Sequence, residues 1–488
     1  MRRWTKQTAW RTRLLFHADD CGEEGKVIKR MQNKHPPTDG QMLSPLKRAS
    51  SAGFAVGALV LICVLVLLLF PDPLVNRFIK PRIIKAFAEA YPAYSIRIAD
   101  MNYSVVKNRV GFDSVVLSAV DSTFSSTIGP FSVSGIGWMH LLWGGSLAPN
   151  DFANSVIDAH DIVLNFPQEQ YELRCGFLRV SVPDSEVAVE GLKLHPPGED
   201  EQFFAGSKFR KTRFRLVVPH ARVMGVACLE LLEGKNYRAR SALIHDAFLD
   251  ALINKDKPFP QDTSSPRMPN EILSSIKGTL QVATLSIMNG RLEYGERFAV
   301  GAKPALITVD SIQILAEGIA NHGDRGAAIV IHAQGIFMKA GTMNVHISLP
   351  VASPEFSFQY SGSLSRMDLS ALNPFLETAE QMRIKAGVLQ AATYEIKVVS
   401  GSASGNVRAV YRDLTFAAIN KHTGSEKGFF DGIASFIANN FKFRGTNVPD
   451  KSGSIKIGEV KYTRKRVELF TEFAWFSLRS GVGDVVGF

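Results

Sequence analysis

The sequence predicts a mainly β chain: an N-terminal transmembrane helix, then antiparallel strands interrupted by a few short amphipathic helices. Three observations carry this reading. Residues 49–71 (ASSAGFAVGALVLICVLVLLLFP) hold no charged side chain. Roughly 417 residues follow, and their dominant apolar period is two. The runs are punctuated by Gly, Asn, Asp and Pro, as half-buried antiparallel strands are.

Residues 1–48 carry 11 Lys/Arg against 5 Asp/Glu, a net +6 of the chain's +10. With Pro36-Pro37 and little apolar periodicity in 1–41, they read as a basic, unstructured cytoplasmic tail; translation starting at Met31 or Met42 would shorten it. The 23 residues of 49–71, at about 1.5 Å per residue, reach across a hydrocarbon core of about 30 Å. Phe54, Val56, Leu59, Leu61, Leu65, Leu67, Leu69 and Phe70 are its expected lipid-facing anchor residues. The run is longer than a signal-peptide core, and Phe70-Pro71-Asp72-Pro73 is a poor cleavage site, so retention is expected. Basic residues concentrated before the span favour N-terminus in and the large domain out.

Within 72–93, Leu74, Val75, Phe78, Ile79, Ile83, Ile84, Phe87 and Ala88 recur at helical spacing, with Pro81 expected to kink or restart the helix. Arg77, Lys80, Arg82 and Lys85 fall between them as candidate membrane-surface contacts. Two readings stand: a basic amphipathic helix on anionic headgroups, or a cap on the end of the following domain.

Two β regions follow, 94–260 and 271–488. Tyr94, Ile96 and Ile98 alternate with polar residues, as do Met343 to Leu349, Phe356 to Tyr360 and Tyr394 to Val398. Asn289-Gly290 reads as a hairpin turn, and 171–196 and 276–294 as loosely repeated β units. Apolar spacing predicts amphipathic helices over 241–254 and near 426–441. Four prolines in 254–270 mark a linker, centred on 261–270, that divides the domain near residue 262.

Residues 49–488 hold 45 basic and 41 acidic side chains, so the high pI makes no case for nucleic-acid binding. No nucleophile elbow, zinc-protease motif or phosphate loop is present. Gly401-Ser402-Ala403-Ser404-Gly405 reads as a strand-to-strand turn and Gly481-Val482-Gly483-Asp484 as a tail. His332 and His346 are candidate neighbours across a hairpin, without an evident third metal ligand. Trp138, His140 and Trp143 form an aromatic cluster expected to pack in the core, with a membrane interface or a ligand as the other reading. Cys175 and Cys228 either pair or stay reduced and buried. Catalytic residues, metal and cofactor are not expected.

The pattern resembles the AsmA-like family of envelope proteins from the anchor to near residue 480. The resemblance rests on YSIRIADMNYSVVKNRVGFDSVVLS, IGPFSVSGIGWMHLLWGG, FQYSGSLSRMDLSALNPFLE, IKAGVLQAATYEIKVVSGSASGNVRAVYRDLTF and the late NNF…TRKRVELF…FSLRSGVGDVVG. Within the third, Ser363-Leu364, Met367-Asp368-Leu369 and Leu372-Asn373-Pro374 resemble uncharacterised periplasmic relatives. It implies a curved antiparallel sheet rolled into a trough with an apolar inner face. By the same resemblance, a non-enzymatic protein of the inner membrane would bind or conduct phospholipid acyl chains in the periplasm, or modulate outer-membrane assembly. About 25 strands at about 4.8 Å each would span on the order of 120 Å in one sheet, which the linker near 262 argues against. Membrane lipid and envelope proteins are the expected partners; a periplasmic protein-interaction scaffold with a closed core and no lipid is the alternative.

Overall fold

The computed structural model describes residues 71–136, 149–232, 236–258, 265–324, 326–351, 355–419, 426–427 and 443–487. The tail, the anchor apart from Pro71, the Trp138, His140 and Trp143 cluster, and the expected helix at 426–441 apart from its first two residues lie outside them. No helix among the described residues is long and apolar enough to cross a membrane.

The chain enters through a short helical turn, Pro71–Leu74, a π-helical turn, Val75–Ile79, and helix α1, Lys80–Ala90. Pro81 sits in the first turn of α1, where its missing N–H leaves no hydrogen bond unmade, so the helix restarts there. Val75, Ile83 and Ile84 pack on Ile98, Met101, Val110 and Val115, which makes the segment a cap on the first strands.

Those strands are short and come in collinear pairs: β1 Tyr94–Ile98 with β2 Met101–Ser104, β3 Arg109–Phe112 with β4 Val115–Ala119, and β5 Ser125–Ile128 with β6 Phe131–Ser134. Longer strands follow: β7 Val156–Phe166, β8 Tyr171–Ser181, β9 Glu186–His195, β10 Thr212–Met224, β11 Asn236–His245 and β12 Phe248–Asn254. Then come β13 Thr279–Arg297, β14 Ala305–Ala320, β15 Ala328–Phe337, β16 Gly341–Pro350, β17 Phe358–Leu364 and β18 Met367–Asp368. The last are β19 Met382–Val399, β20 Ser402–Ile419, β21 Glu426–Lys427 and β22 Ile457–Thr463. Short helices α2 Asp200–Ala205, α3 Cys228–Leu232, α4 Pro269–Ser275 and α5 Asn373–Ala379 decorate the connections, and α6 Phe470–Val486 closes the described chain.

All of these strands join in one curved sheet of 22. It is mixed, not antiparallel throughout as expected. β11 and β12 form one kinked line that is antiparallel to β10 but parallel to β13. The cause is the proline-rich segment. Between Asn254 and Thr279 the chain must return to the far end of the sheet before β13 can begin, so strands on either side of the expected linker are direct neighbours. The sheet runs across it unbroken.

Four further expectations are corrected. Residues 241–254 are strand, not helix: β12 is buried on both faces, with Leu252 against α2 on one side and Ala251 and Ile253 buried on the other. A strand buried on both sides reads as a near-continuous apolar run, which periodicity alone confuses with a helix. Asn289-Gly290 is a bulge inside β13, where Asn289 takes φ 56°; the real hairpin lies beyond Arg297. Residues 481–484 belong to α6. The expected helix near 426 begins instead with strand β21, paired to β20. The turn joining β19 to β20 is Ser400-Gly401, with φ 46° and 78°; of the expected turn residues 401–405 only Gly401 lies in it, and Ser402 to Gly405 already belong to β20.

Asparagine finishes the ladder where strands stop, because its amide, like backbone, offers both a donor and an acceptor. Asn373 bonds both backbone groups of Ile384 at 3.0 and 2.8 Å, and Asn321 serves Leu280 N–H and Gly278 C=O, each at 2.8 Å. The two sheet edges use the same device. At β2, Asn76 accepts from Met101 N–H at 3.0 Å and donates to its C=O at 2.7 Å, while Asp72 accepts from Tyr103 N–H at 2.8 Å. At β22, Asp484 accepts from Glu459 N–H at 2.8 Å and Ser480 from Lys461 N–H at 3.3 Å.

Helix α6 lies on the C-terminal strands with Phe473 and Val485 fully buried among Phe358, Val398, Val407 and Val460. Its close approach needs Gly481, whose added Cβ would stand 2.6 Å from both Val407 and Val460 side chains. Gly481→Val is therefore expected to cost about 1–3 kcal/mol, read as a lowered urea midpoint with unchanged slope.

Candidate functional site

Following register from strand to strand exposes one row of side chains that stays on one face. Ala159, Leu178, Val189, Ala221, Ile244, Ile287 and Ile314 are successive cross-strand partners in β7 to β14. The same row reaches Met101 in β2 through Phe112 and Phe131, and Gly458 in β22 through Ala333, Val345, Gly362, Tyr394 and Val407. It crosses 16 strands with the Tyr394 hydroxyl as its one polar group, on the order of 70 Å at about 4.8 Å per strand. A second row beside it is leucine in six successive positions: Leu164, Leu173, Leu194, Leu216, Leu249 and Leu292.

Between the two rows every strand slips phase. In β7 the inward residues are Ala159 and then Ile162, in β8 Cys175 and then Leu178, in β9 Val189 and then Leu192; one core cluster takes them all. An odd step on a strand moves the side chain to the other face, so an extra residue must be absorbed between. Asp161, Gly191, Asp246, Asn289 and Ser311 absorb it with positive φ, and Pro219 occupies the matching place in β10. The bulges face one another across strands: Asn289 Nδ2 donates to Asp246 Oδ1 at 2.6 Å, and Asp246 N–H to Met288 C=O at 2.9 Å. Aligned bulges crease the sheet while both rows stay on the same side.

This face is not uniformly covered. At the first strands α1 and its preceding turns close it, and from β14 onward α5 and α6 do, with Ile307 and Ile319 of β14 packed on the covered cluster and Tyr360, Ile396 and Val398 buried beneath. Between β5 and β9 its apolar cluster consists of strand residues alone, and all six leucines of the second row are half-buried. Cys175 lies here, free and buried, and burial pushes its thiol pKa up, so it acts as a small apolar group and not a nucleophile. Cys228 is likewise free, buried and raised by desolvation.

The opposite face is polar at the same level: Asp158 and Arg179 pair at 3.3 Å, followed across the sheet by Arg222, Ser286, His332, His346, Ser361 and Glu395. His332 and His346 are cross-strand neighbours with their Nδ1 atoms 3.2 Å apart. Among the described residues no three His, Cys, Asp or Glu side chains group as metal ligands. A depression of about 660 Å³ on this side is walled by these histidines with Leu243, Met288 and Leu315. Helix α2 is clamped to the same face lower down, Asp200 bonding Arg213 at 2.9 Å and Arg215 at 2.8 Å.

Of the basic residues expected at a membrane surface, Arg77, Arg82 and Lys85 are exposed, with Lys85 3.9 Å from Glu89. Lys80 is tied to the sheet instead, donating to Ala99 C=O and lying 3.9 Å from Asp100. The anchor residues Phe54 to Phe70 fall outside the described residues. Sequence reading did not find the creased aliphatic rows. Their signal was present as the repeated phase slip of alternation at His160-Asp161, Gly191, Pro219 and Asn289.

No protein-family model matches this chain, and no curated protein matches it.

In the closed part of the face, burial pushes the phenols of Tyr394 and Tyr411 up to about 12 from 10.0. Their unfolded counterparts lose the proton first as pH rises, so stability is whole below pH about 10 and declines from there toward 12. Tyr394→Phe is expected to flatten that decline, measured as urea midpoints at several pH values from neutral upward; an unchanged slope would remove Tyr394 as a cause.

Proposed function

We propose that this chain is a non-enzymatic, AsmA-like protein anchored in the inner membrane by residues 49–71, with its sheet in the periplasm, and that the sheet binds or conducts phospholipid acyl chains. A role in outer-membrane assembly would follow from that handling of lipid. The observation that supports this is the half-buried aliphatic face between β7 and β14, continuous across strands and lined by side chains without polar atoms. Acyl chains need no hydrogen-bond partner, so they suit such a surface and leave water with a favourable free energy of about 0.8 kcal/mol per methylene buried. The electrostatics agree: at the level of the two rows the opposite face carries the charge, in pairs such as Asp158–Arg179, and Glu296 at the end of β13 is paired with Lys255. An interaction scaffold would use strand addition at sheet edges, but β2 and β22 carry side-chain caps on edge amides, which speaks against that reading.

The full chain extracted in mild detergent should retain phospholipid in native mass spectrometry and move lipid between vesicles. The double variant Leu216→Glu, Leu249→Glu should lower both by about tenfold, because an ionised carboxylate beside hydrocarbon is strongly disfavoured. Lys193→Ser, on the opposite face next to Leu194, should leave both unchanged. Lipid-free wild-type protein, or equal loss in all variants, would defeat the proposal.

A further inference from the structure

The chain joins the sheet at the end of β2 and β3 that bears their connecting turn. Asp72, one residue past the apolar run 49–71, accepts from Tyr103 N–H at 2.8 Å, two residues before that turn begins. Ser104 Oγ, which accepts from Lys107 N–H at 3.4 Å, and Asn108, with φ 43°, supply the turn chemistry. The tip itself is apolar: Val106 is 94% exposed and Val105 40%. Tight turns ordinarily present polar residues, and a β-branched pair at a tip gains nothing from water. Lys107 and Arg109 beside it are exposed. On the adjoining helical turns Phe78 is 54% exposed and Leu74 38%, with the Arg77 guanidinium 6.0 Å from the Phe78 ring.

Apolar tips ringed by cations suit the boundary between headgroups and acyl chains. We infer that the β2–β3 turn is a second membrane contact. Val105 and Val106 enter the bilayer interface beside the span, and Arg77, Lys107 and Arg109 lie on anionic headgroups. The partner is a lipid surface because the undescribed chain that ends at residue 70 is the apolar run itself, and Asp72 holds the turn next to its exit. This inference rests on reading 49–71 as a membrane span. It adds that the sheet is held at two points, so it cannot swivel freely about its anchor. Lys80, bound to Ala99 and near Asp100, takes no part.

The test uses the full chain in a Cys21→Ser, Cys63→Ser background, since Cys175 and Cys228 are buried. An environment-sensitive nitrobenzoxadiazole probe is attached at Val106→Cys or at Val120→Cys. Val120, 72% exposed, sits beyond the opposite end of β1, and β1 with β2 runs on the order of 35 Å at about 3.3 Å per residue. The proteins are reconstituted in phosphatidylethanolamine–phosphatidylglycerol vesicles with and without lipid brominated in its acyl chains. The Val106 probe should shift to the blue and lose about half its emission or more to brominated lipid, as an interfacial group does, and the Val120 probe neither. Protein that floats with the vesicles while the Val106 probe stays in water overturns the turn contact and leaves the anchor standing. A blue-shifted Val106 probe that bromine does not quench overturns it in favour of a protein contact. Protein that fails to float overturns the span and this inference together.

Discussion

Backbone pairing from β7 to β14 must keep aliphatic side chains on one side of strands that bend near their middles. A bend made by an extra residue reverses the facing of everything beyond it, so each strand has to carry its own compensating slip in register with its neighbours. Asp246 and Asn289 show how this is held: they bulge side by side, bonded to each other at 2.6 Å. Remove the slip from a single strand and half its leucines would turn to water while charged residues entered the row. The collinear pairs β1–β2, β3–β4 and β5–β6 are the same bend carried further, until the strand breaks in two.

The character of the apolar face changes where its covering changes. Under α6 it is aromatic, with Phe358, Tyr360, Tyr394 and Tyr462 in contact. Hydroxyls there need acceptors, and the covering segments provide them: Tyr360 donates to Ala474 C=O at 2.9 Å and Tyr411 to Arg444 C=O at 2.8 Å. Between β7 and β13 the two rows of the same face are Leu, Ile, Val and Ala. Such side chains ask for nothing directional, which is why this stretch can do without a helix over it.

Much of this was legible in the sequence, and the failures share a cause. Alternation identified β1, β16, β17 and β19 because each has one wet face. It failed at 241–254, where both faces of β12 are buried and the polar alternates disappear. Asn289-Gly290 carried correct local chemistry, since Asn289 does take positive φ, but whether that makes a turn or a bulge is decided by the strand waiting alongside. Gly481 and Gly483 suggested a loose end because glycine disfavours helix; the close approach of α6 to Val407 and Val460 outweighs that preference. The mixed topology was invisible for a similar reason. A proline-rich stretch shows that a connection exists, not where the chain lands. No residue pattern told which part of the apolar face would be left without a helix over it.

Both outer strands are finished by side chains from helices at opposite ends of the described chain: Asp72 and Asn76 at β2, Asp484 and Ser480 at β22. These act as end stops. They occupy the amides of Met101, Tyr103, Glu459 and Lys461 that a further strand would pair with, and the breadth of the surface is set by how many hairpins lie between. A longer relative could therefore arise by duplicating an internal hairpin that carries its own bulge, with neither terminus altered. In such a lineage chain length would serve as a ruler.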